Sequence, residues 1–205
     1  MLFALAFLPM FGIGGLTGLP LGLAASDIYL HDTYYVIGHF HYVVAPGTIF
    51  ALFAGIYYWF PKMTGKKMNE MLGKLHFWPS LIFMNGIFMP MFIQGLAGVS
   101  RRLADGGVSY AHASGVLEWN EFMSMSAFFL GLAQIPFIIN IVMSLLAGDK
   151  ASRNPWDSTT IEWAAPSPPV GHGNFDTPVN VYHSAYEYSV PDSKKDFTPQ
   201  FEKNG

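Results

Sequence analysis

The chain has 205 residues, of which 51% are hydrophobic and only 12% charged, with a formal net charge of −3 and no cysteine. An ordinary soluble domain carries about twice this fraction of charged residues, so the composition favours a membrane protein. Without cysteine the chain can hold no disulfide, iron–sulfur cluster or thiolate-bound metal, and without a basic excess it lacks the charge of a nucleic-acid-binding protein.

Four long stretches of the chain contain no Asp, Glu, Lys or Arg: 1–26, 33–61, 75–100 and 122–148. Each exceeds the roughly 20 residues that a helix needs to cross a bilayer. Buried helices in a large soluble core are the alternative, but four such stretches so close together argue against it. The pattern predicts an all-α, polytopic membrane helix bundle, whose membrane domain is 1–148 and contains four transmembrane helices.

The loops predict how these spans are oriented. The 62–74 connection carries four lysines, whereas 27–32 carries two aspartates, and 101–121 offsets two arginines with three acidic residues. Basic side chains near the ends of spans favour the cytoplasmic or matrix side. We therefore expect 62–74 on that inner side and the other two connections outside, with the first span running outward.

Glycine and proline predict local irregularities. The first stretch has five glycines, which permit close helix contact or local unwinding. Pro46, Pro90 and Pro136 fall inside later spans, where membrane helices tolerate kinks. Residues 150–205 hold 12 of the 25 formal charges together with seven prolines. We expect the tail, 149–205, to be an irregular, extended polar segment on the cytoplasmic or matrix side, either laid on a partner surface or partly disordered.

His39 and His41 lie in the second uncharged stretch, where a polar ring is costly and usually marks function. On a helix, residues two apart are separated by roughly 200°, so the two imidazoles leave opposite sides of the helix. One small ion cannot bind both, but two haems on either side of the helix can each take one. Neutral imidazole is a common axial ligand of haem iron. The alternative is a pair of packing histidines that are hydrogen-bonded to neighbouring helices.

Two further pairs of residues lie at the outer ends of the spans. His31 and Asp32 combine an imidazole with a carboxylate, which could bind a hard divalent cation, although Asp32 could instead cap the following helix. Arg101 and Arg102 follow the third span, and their guanidinium groups suit bidentate recognition of carboxylates such as haem propionates. Contact with water or with lipid headgroups is the alternative for these arginines.

The central motif of the chain, HDTYYVIGHFHYV at 31–43, resembles the tenth-helix signature of subunit I of the cytochrome c oxidases, in the haem–copper oxidase superfamily. The resemblance extends upstream to GGLTG at 14–18. It continues downstream through WFP at 59–61 and GLAG at 95–98 to the arginine pair and to Glu162-Trp163. It covers nearly the whole chain, yet only the last four spans of a subunit that has many more. The chain is thus similar to the C-terminal portion of that subunit.

The resemblance implies a haem role for each histidine of the second span. His39 matches the axial ligand of the high-spin haem, opposite which oxygen is reduced at a copper ion. His41 matches one axial ligand of the low-spin haem. The copper ligands and the other ligand of the low-spin haem belong to the N-terminal portion of subunit I, which this chain does not match.

The resemblance also implies roles for the outer pairs. His31 and Asp32 match a magnesium site at the interface with subunit II, and Arg101 and Arg102 match the pair that holds the haem propionates. Two haems, expected to be of haem a type, copper and magnesium are therefore the implied cofactors.

The implied function is that of the C-terminal part of a terminal oxidase. Electrons would pass from cytochrome c through two haems to oxygen, coupled to proton translocation, and the chain alone should be inactive. The implied partners are the N-terminal portion of subunit I, subunits II and III, cytochrome c and the lipid bilayer of a bacterial plasma membrane or mitochondrial inner membrane. The alternatives are a quinol oxidase of the same superfamily, and a non-catalytic four-helix protein that anchors a haem or assembles a complex.

Overall fold

A computed structural model of the chain describes residues 1–171, 174–175, 177–185, 187 and 198–203. The secondary structure of these residues is helical and includes no β-strand. The chain forms two compact units. One consists of Met1–Ile56 with Glu70–Ile139, and the other of Tyr57–Asn69 with Asn140–Gly205.

Four helices are long and apolar enough to cross a membrane, as the sequence predicted: Leu2–Gly22, Tyr34–Thr64, Glu70–Leu96 and Trp119–Ala147. In finer detail the α-helices are α1 (Leu2–Gly22), α2 (Ala24–Leu30), α3 (Tyr34–Val44), α4 (Ala51–Thr64), α5 (Glu70–Leu96), α6 (Trp119–Ala133) and α7 (Ile135–Ala147). Short 3₁₀ turns cover Ala111–Val116 and Ile161–Ala164.

The connection between the first two spans is largely helical, because α2 occupies most of it. The backbone of Leu23 is extended, with φ −99° and ψ 114°, and this conformation ends α1 and separates it from α2. The break leaves carbonyls at the end of α1 without their usual partners. The Ser26 hydroxyl compensates by donating to the Pro20 carbonyl at 2.5 Å. A polar side chain thus satisfies a carbonyl at the break.

The prolines inside the spans have different effects. Pro46 lies in a π-helical segment, Ala45–Phe50, which joins α3 to α4. Pro136 follows the break between α6 and α7, where the Gln134 side chain donates to the Leu130 carbonyl at 3.0 Å. Pro90 lies within the continuous helix α5. Proline lacks an N–H and crowds the carbonyl four residues before it. The wider π-helical turn relieves this contact at Pro46, and the break between α6 and α7 relieves it at Pro136.

In the first unit, α3 packs against both α1 and α5, and α5 packs against α6. Glycines permit the close approach of these helices. A Cβ on Gly14 would lie 2.8 Å from the Val43 nitrogen, and one on Gly95 would collide with the Tyr35 backbone. Small residues at helix contacts are the usual means of close packing in membranes. The helix that carries the two histidines is therefore held between two others.

Buried polar side chains fix the three helices relative to one another. Tyr42 on α3 is fully buried, and its hydroxyl donates to Oδ1 of Asn85 on α5 at 2.7 Å. The Asn85 amide in turn donates to Sδ of Met10 on α1 at 3.2 Å. A hydrogen bond in a low-dielectric interior is costly to break, because the group left behind has no water to replace its partner.

The second unit contains the tail, whose described residues are irregular apart from the short turn at Ile161–Ala164. The C-terminal end of α4 holds this tail. Trp163 is buried and donates from Nε1 to the Tyr58 hydroxyl at 2.9 Å. Lys62 donates from Nζ to the Ala165 carbonyl at 2.7 Å and lies 4.8 Å from the centroid of the Trp163 ring. Specific polar contacts thus anchor the tail to the helix end within this unit.

Candidate functional site

His39 projects from α3 onto α1, where its ring orientation and tautomer are fixed. Its Nδ1 lies 2.7 Å from the Gly14 carbonyl oxygen and 3.3 Å from Oγ1 of Thr17. A carbonyl can only accept, so Nδ1 carries the proton and Nε2 carries the lone pair. A Cβ on Gly18 would lie 2.7 Å from Cε1 of this ring. Glycine at this position therefore provides the space that the imidazole occupies.

His41 projects from α3 towards α5. Its Nδ1 donates to the Ile37 carbonyl at 2.8 Å, so Nε2 again carries the lone pair. The ring stacks on Phe88 of α5, with the centroids 4.7 Å apart and the planes 18° from parallel. The hydrogen bond to Ile37 and the stacking on Phe88 thus restrict this imidazole.

The two imidazoles meet different neighbours, one on α1 and the other on α5, as expected for residues that leave opposite sides of one helix. Within the described part of the chain, Nε2 of His39 and Nε2 of His41 have no hydrogen-bond partner. An imidazole that donates from Nδ1 to a backbone carbonyl and keeps Nε2 basic is the form that ligates a metal. The chemistry of both side chains therefore fits an axial ligand of haem iron.

The start of α3 and the segment that follows α5 are joined through their backbones. Tyr34 donates from its backbone nitrogen to the Val99 carbonyl, and Arg101 to the Asp32 carbonyl, each at 2.9 Å. The Arg101 guanidinium also forms an ion pair with the Asp32 carboxylate. Asp32 has a left-handed backbone with φ +58°. Aspartate tolerates this region better than most residues, and the turn directs its side chain to the arginine.

Asp32 does not cap the following helix, which was one of the two roles considered for it. The N-cap of α3 is Thr33, whose Oγ1 accepts from the Tyr35 nitrogen at 3.2 Å. Threonine and aspartate both suit an N-cap, and here the position one residue later is the one with the extended backbone that a cap requires.

His31 and Asp32 fit part of a cation site. Nε2 of His31 lies 3.7 Å from Oδ2 of Asp32, and Nδ1 lies 3.4 Å from Oδ2 of Asp27. Among the residues whose placement is described, no group of three or more His, Cys, Asp or Glu side chains is arranged to hold a metal. Magnesium usually takes one or two protein carboxylates and completes its octahedral shell with water. These side chains could supply two ligands, with the remainder coming from water or another chain.

The two arginines differ in their surroundings. Arg101 is partly buried, and its Nε is a buried donor that has no hydrogen-bond partner in the described ranges. A buried donor of this kind costs free energy unless an acceptor satisfies it. Arg102 is exposed and has a left-handed backbone with φ +63°. The ion pair with Asp32 is therefore the carboxylate contact that Arg101 makes among the described residues.

The loop after the arginines contains a hydrogen-bonded turn at Asp105. Its carboxylate accepts from the Ser109 hydroxyl, from the Gly107 nitrogen at 3.1 Å and from the Ser109 nitrogen at 3.0 Å. The Ser109 hydroxyl, followed by the two backbone donors, holds the pKa of Asp105 below its usual value. Hydrogen bonds to the charged form of a carboxylate favour ionisation.

Several side chains of the site could not be assigned from the sequence. Thr17 lies within the GGLTG segment, but a single sequence does not reveal which residue of α3 it meets. Phe88 is one of 18 phenylalanines, and nothing in its sequence context separates it from the others. His76, which has no companion pattern in the sequence, is fully buried on α5 and hydrogen-bonded to Oε1 of Gln134 at 3.1 Å.

Comparison with known proteins places these observations in a family. Residues 1–155 match the family described as cytochrome c and quinol oxidase polypeptide I. Cytochrome c oxidase subunit 1 from Synechocystis sp. is 46% identical over 190 residues, which cover 93% of this chain and 33% of that protein. An alternative cytochrome c oxidase subunit 1 from Bradyrhizobium diazoefficiens is 44% identical over 202 residues, 98% of this chain and 34% of the relative. The chain therefore spans about a third of the length of these relatives.

A solved structure shows the same fold. A cryo-EM structure of a heme-copper terminal oxidase dimer matches 73% of this chain and 27% of its own chain, with a TM-score of 0.62. The sequence identity is 22%, so this match speaks for the arrangement of the helices alone.

Proposed function

This chain belongs to the family of cytochrome c and quinol oxidase polypeptide I, and we propose that it supplies one axial ligand to each of two haems in a terminal oxidase. The assembled enzyme would pass electrons from cytochrome c to oxygen and couple that transfer to proton translocation. When bound, haem iron and copper supply the redox chemistry and the site of oxygen reduction, while the protein supplies ligation, orientation and electrostatic field.

His39 is proposed to hold the high-spin haem through Nε2. The hydrogen bond from Nδ1 to the Gly14 carbonyl keeps the ring in the tautomer that leaves Nε2 basic. The missing side chain at Gly18 leaves room for the imidazole against α1. These contacts orient the ligand before a haem binds, which lowers the entropy lost on ligation.

His41 is proposed to hold the low-spin haem in the same way on the other side of α3. Its hydrogen bond to the Ile37 carbonyl comes from its own helix, so the ring is fixed close to the helix surface. Phe88 covers one face of the ring and restricts its rotation. The observation that carries the proposal is this arrangement of two oriented imidazoles, each with a basic Nε2, on opposite sides of one membrane helix.

Arg101 and Arg102 are proposed to bind haem propionates, and His31 and Asp32 to contribute to a magnesium site. The partly exposed guanidinium of Arg101, which already binds the Asp32 carboxylate, supports the first role. The ion pair between Arg101 and Asp32 would connect the two sites directly. A shift of charge at one of them would then be felt at the other through a single salt bridge.

The proposal requires partners. The copper ligands and the second ligand of the low-spin haem would come from the N-terminal portion of subunit I, and subunits II and III would complete the complex in the membrane. The relatives named above are cytochrome c oxidase subunits, which favours cytochrome c over quinol as the electron donor. Haem a is the proposed haem type.

Substitution of each histidine in the assembled oxidase tests this function. We expect His39→Ala to remove the high-spin haem signal from optical and EPR spectra, and His41→Ala to remove the low-spin signal, because the rings face different helices. His112→Ala is the control, since His112 is exposed in the outer loop and should leave both signals intact. Loss of the same component in both site variants, or of neither, would contradict the proposal. Spectra with a single haem in the unaltered complex would support a haem-anchoring protein instead.

A further inference from the structure

We propose that Thr17 is a positioning residue that weakens the hydrogen bond from His39 to its backbone acceptor and thereby sets the electron density on the imidazole. This inference rests on the proposed role of His39 as a haem ligand. Thr17 acts through the Gly14 carbonyl, to which its hydroxyl donates.

The geometry places three donors around one carbonyl. The Gly14 oxygen lies 2.7 Å from Nδ1 of His39 and 2.9 Å from the Thr17 hydroxyl. In a regular α-helix the same oxygen also accepts from the backbone N–H four residues later, at position 18. A carbonyl oxygen has two lone pairs, so three donors compete for it. A hydroxyl that shares the oxygen therefore weakens the bond that His39 makes.

The direct contact between Thr17 and His39 is the weaker effect. Oγ1 lies 3.3 Å from Nδ1, whereas the carbonyl lies 2.7 Å from it, and hydrogen bonds weaken steeply with distance. The Thr17 hydroxyl also lies 2.8 Å from the Ile13 carbonyl, so its own hydrogen is divided between two acceptors of α1. Removing the hydroxyl would therefore strengthen the hydrogen bond from His39 to the Gly14 carbonyl. This gain would exceed the loss of the weak direct contact between Thr17 and His39.

The helical register explains why Thr17 can reach this carbonyl. Gly14, Thr17 and Gly18 are three and four residues apart and share one face of α1. The two glycines leave the backbone open to His39, as the 2.7 Å approach of a Gly18 Cβ to the ring demonstrates. A β-branched threonine in a helix has few rotamers, and those directed at the preceding carbonyls are favoured by hydrogen bonding. The hydroxyl is therefore held in place.

The consequence for a bound haem follows from the strength of the Nδ1–H bond. A stronger bond makes the imidazole a better electron donor and stabilises the oxidised iron, as is general for histidine ligands and the acceptors behind them. By weakening that bond, Thr17 would keep the reduction potential of the high-spin haem higher. His41 meets α5 instead, so the low-spin haem should not respond.

The test uses the assembled oxidase with Thr17→Val, which keeps the shape but removes the hydroxyl, and Thr17→Ser, which restores it. We expect Thr17→Val to move the iron–histidine stretching band in resonance Raman spectra to higher wavenumber and to lower the midpoint potential of the high-spin haem. Thr17→Ser should return both towards the unaltered values, and the low-spin potential should stay constant. Thr17→Ala provides a second hydroxyl-free variant should the valine disturb assembly, and Thr48→Val, an exposed threonine of the second span, is the control.

The outcomes separate the two proposals. An unchanged band and potential in Thr17→Val or Thr17→Ala, with both haems bound, would overturn the role of Thr17 and leave His39 as the ligand. A serine variant that behaves like the valine variant would also overturn it, since shape rather than the hydroxyl would then be responsible. The unaltered oxidase should show an iron–histidine band that His39→Ala removes. If that band is absent, or if His39→Ala leaves it in place, the proposed function itself is contradicted.

Discussion

Replacement of Gly18 by alanine should displace His39, because the new methyl group occupies the place of the imidazole. A Cβ at this position would lie 2.7 Å from Cε1, whereas ordinary van der Waals contact begins at 3.4 Å, so the ring must move by about 0.7 Å. That movement strains the 2.7 Å bond from Nδ1 to Gly14. Overpacking of this kind costs about 1–3 kcal/mol, while the exchange of glycine for alanine within a helix returns about 0.5–1 kcal/mol.

Gly12 and Gly15 on the same helix provide matched controls. A Cβ at either position would meet nothing of this chain within 4 Å, so alanine there should only gain the helix propensity. Because the propensity gain is common to all three variants, their difference isolates the clash, about 1–3 kcal/mol. We expect Gly18→Ala to unfold at a lower temperature than either control in the purified oxidase, and we expect only Gly18→Ala to alter the spectrum of the high-spin haem. A Gly18→Ala enzyme with the stability and spectrum of the controls would refute the reasoning.

Two further predictions concern the outer side. Arg101→Gln removes a cation from the proposed propionates, so redox titration should show lower haem midpoint potentials with both haems still bound; unchanged potentials would assign this arginine to Asp32 alone. The turn at Asp105 should be stable above the ordinary pKa of a free aspartate and loosen as pH falls through its lowered pKa, because protonation removes the acceptor. The amides of Gly107 and Ser109 should lose protection from hydrogen exchange, corrected for intrinsic rates, as the pH falls through this range. Asp105→Asn should abolish the pH dependence. Constant protection in the unaltered chain would contradict the prediction.

The sequence predicted the four spans well, because length and apolarity are local properties that need no knowledge of neighbours. It also predicted that His39 and His41 leave opposite sides of one helix, since that follows from the helical period. The break at Leu23 and the continuous helix through Pro90 were harder to predict from the sequence. Both depend on whether a nearby group satisfies the backbone, as Ser26 does for Pro20, and one sequence does not specify this.

The details of the site depend on contacts between residues distant in the chain. The pairing of Asp32 with Arg101 brings together two connections that are distant in the chain, and it was unforeseen because each residue had a plausible local role. The N-cap of α3 falls on Thr33, one residue after Asp32, and adjacent capping residues cannot be ranked from composition alone. Phe88 could not be distinguished from other span phenylalanines until the position of α5 was known. The proposed haem, propionate and magnesium roles remain predictions.

The central claim is that one helix gives its two imidazoles to two different haems. A cryo-EM structure of the assembled oxidase that resolves both haem irons would test it most directly. We predict Nε2 of His39 within bonding distance of one iron and Nε2 of His41 within bonding distance of the other, with α3 between the two macrocycles. Irons bound by other side chains, or both histidines directed at a single haem, would contradict the account.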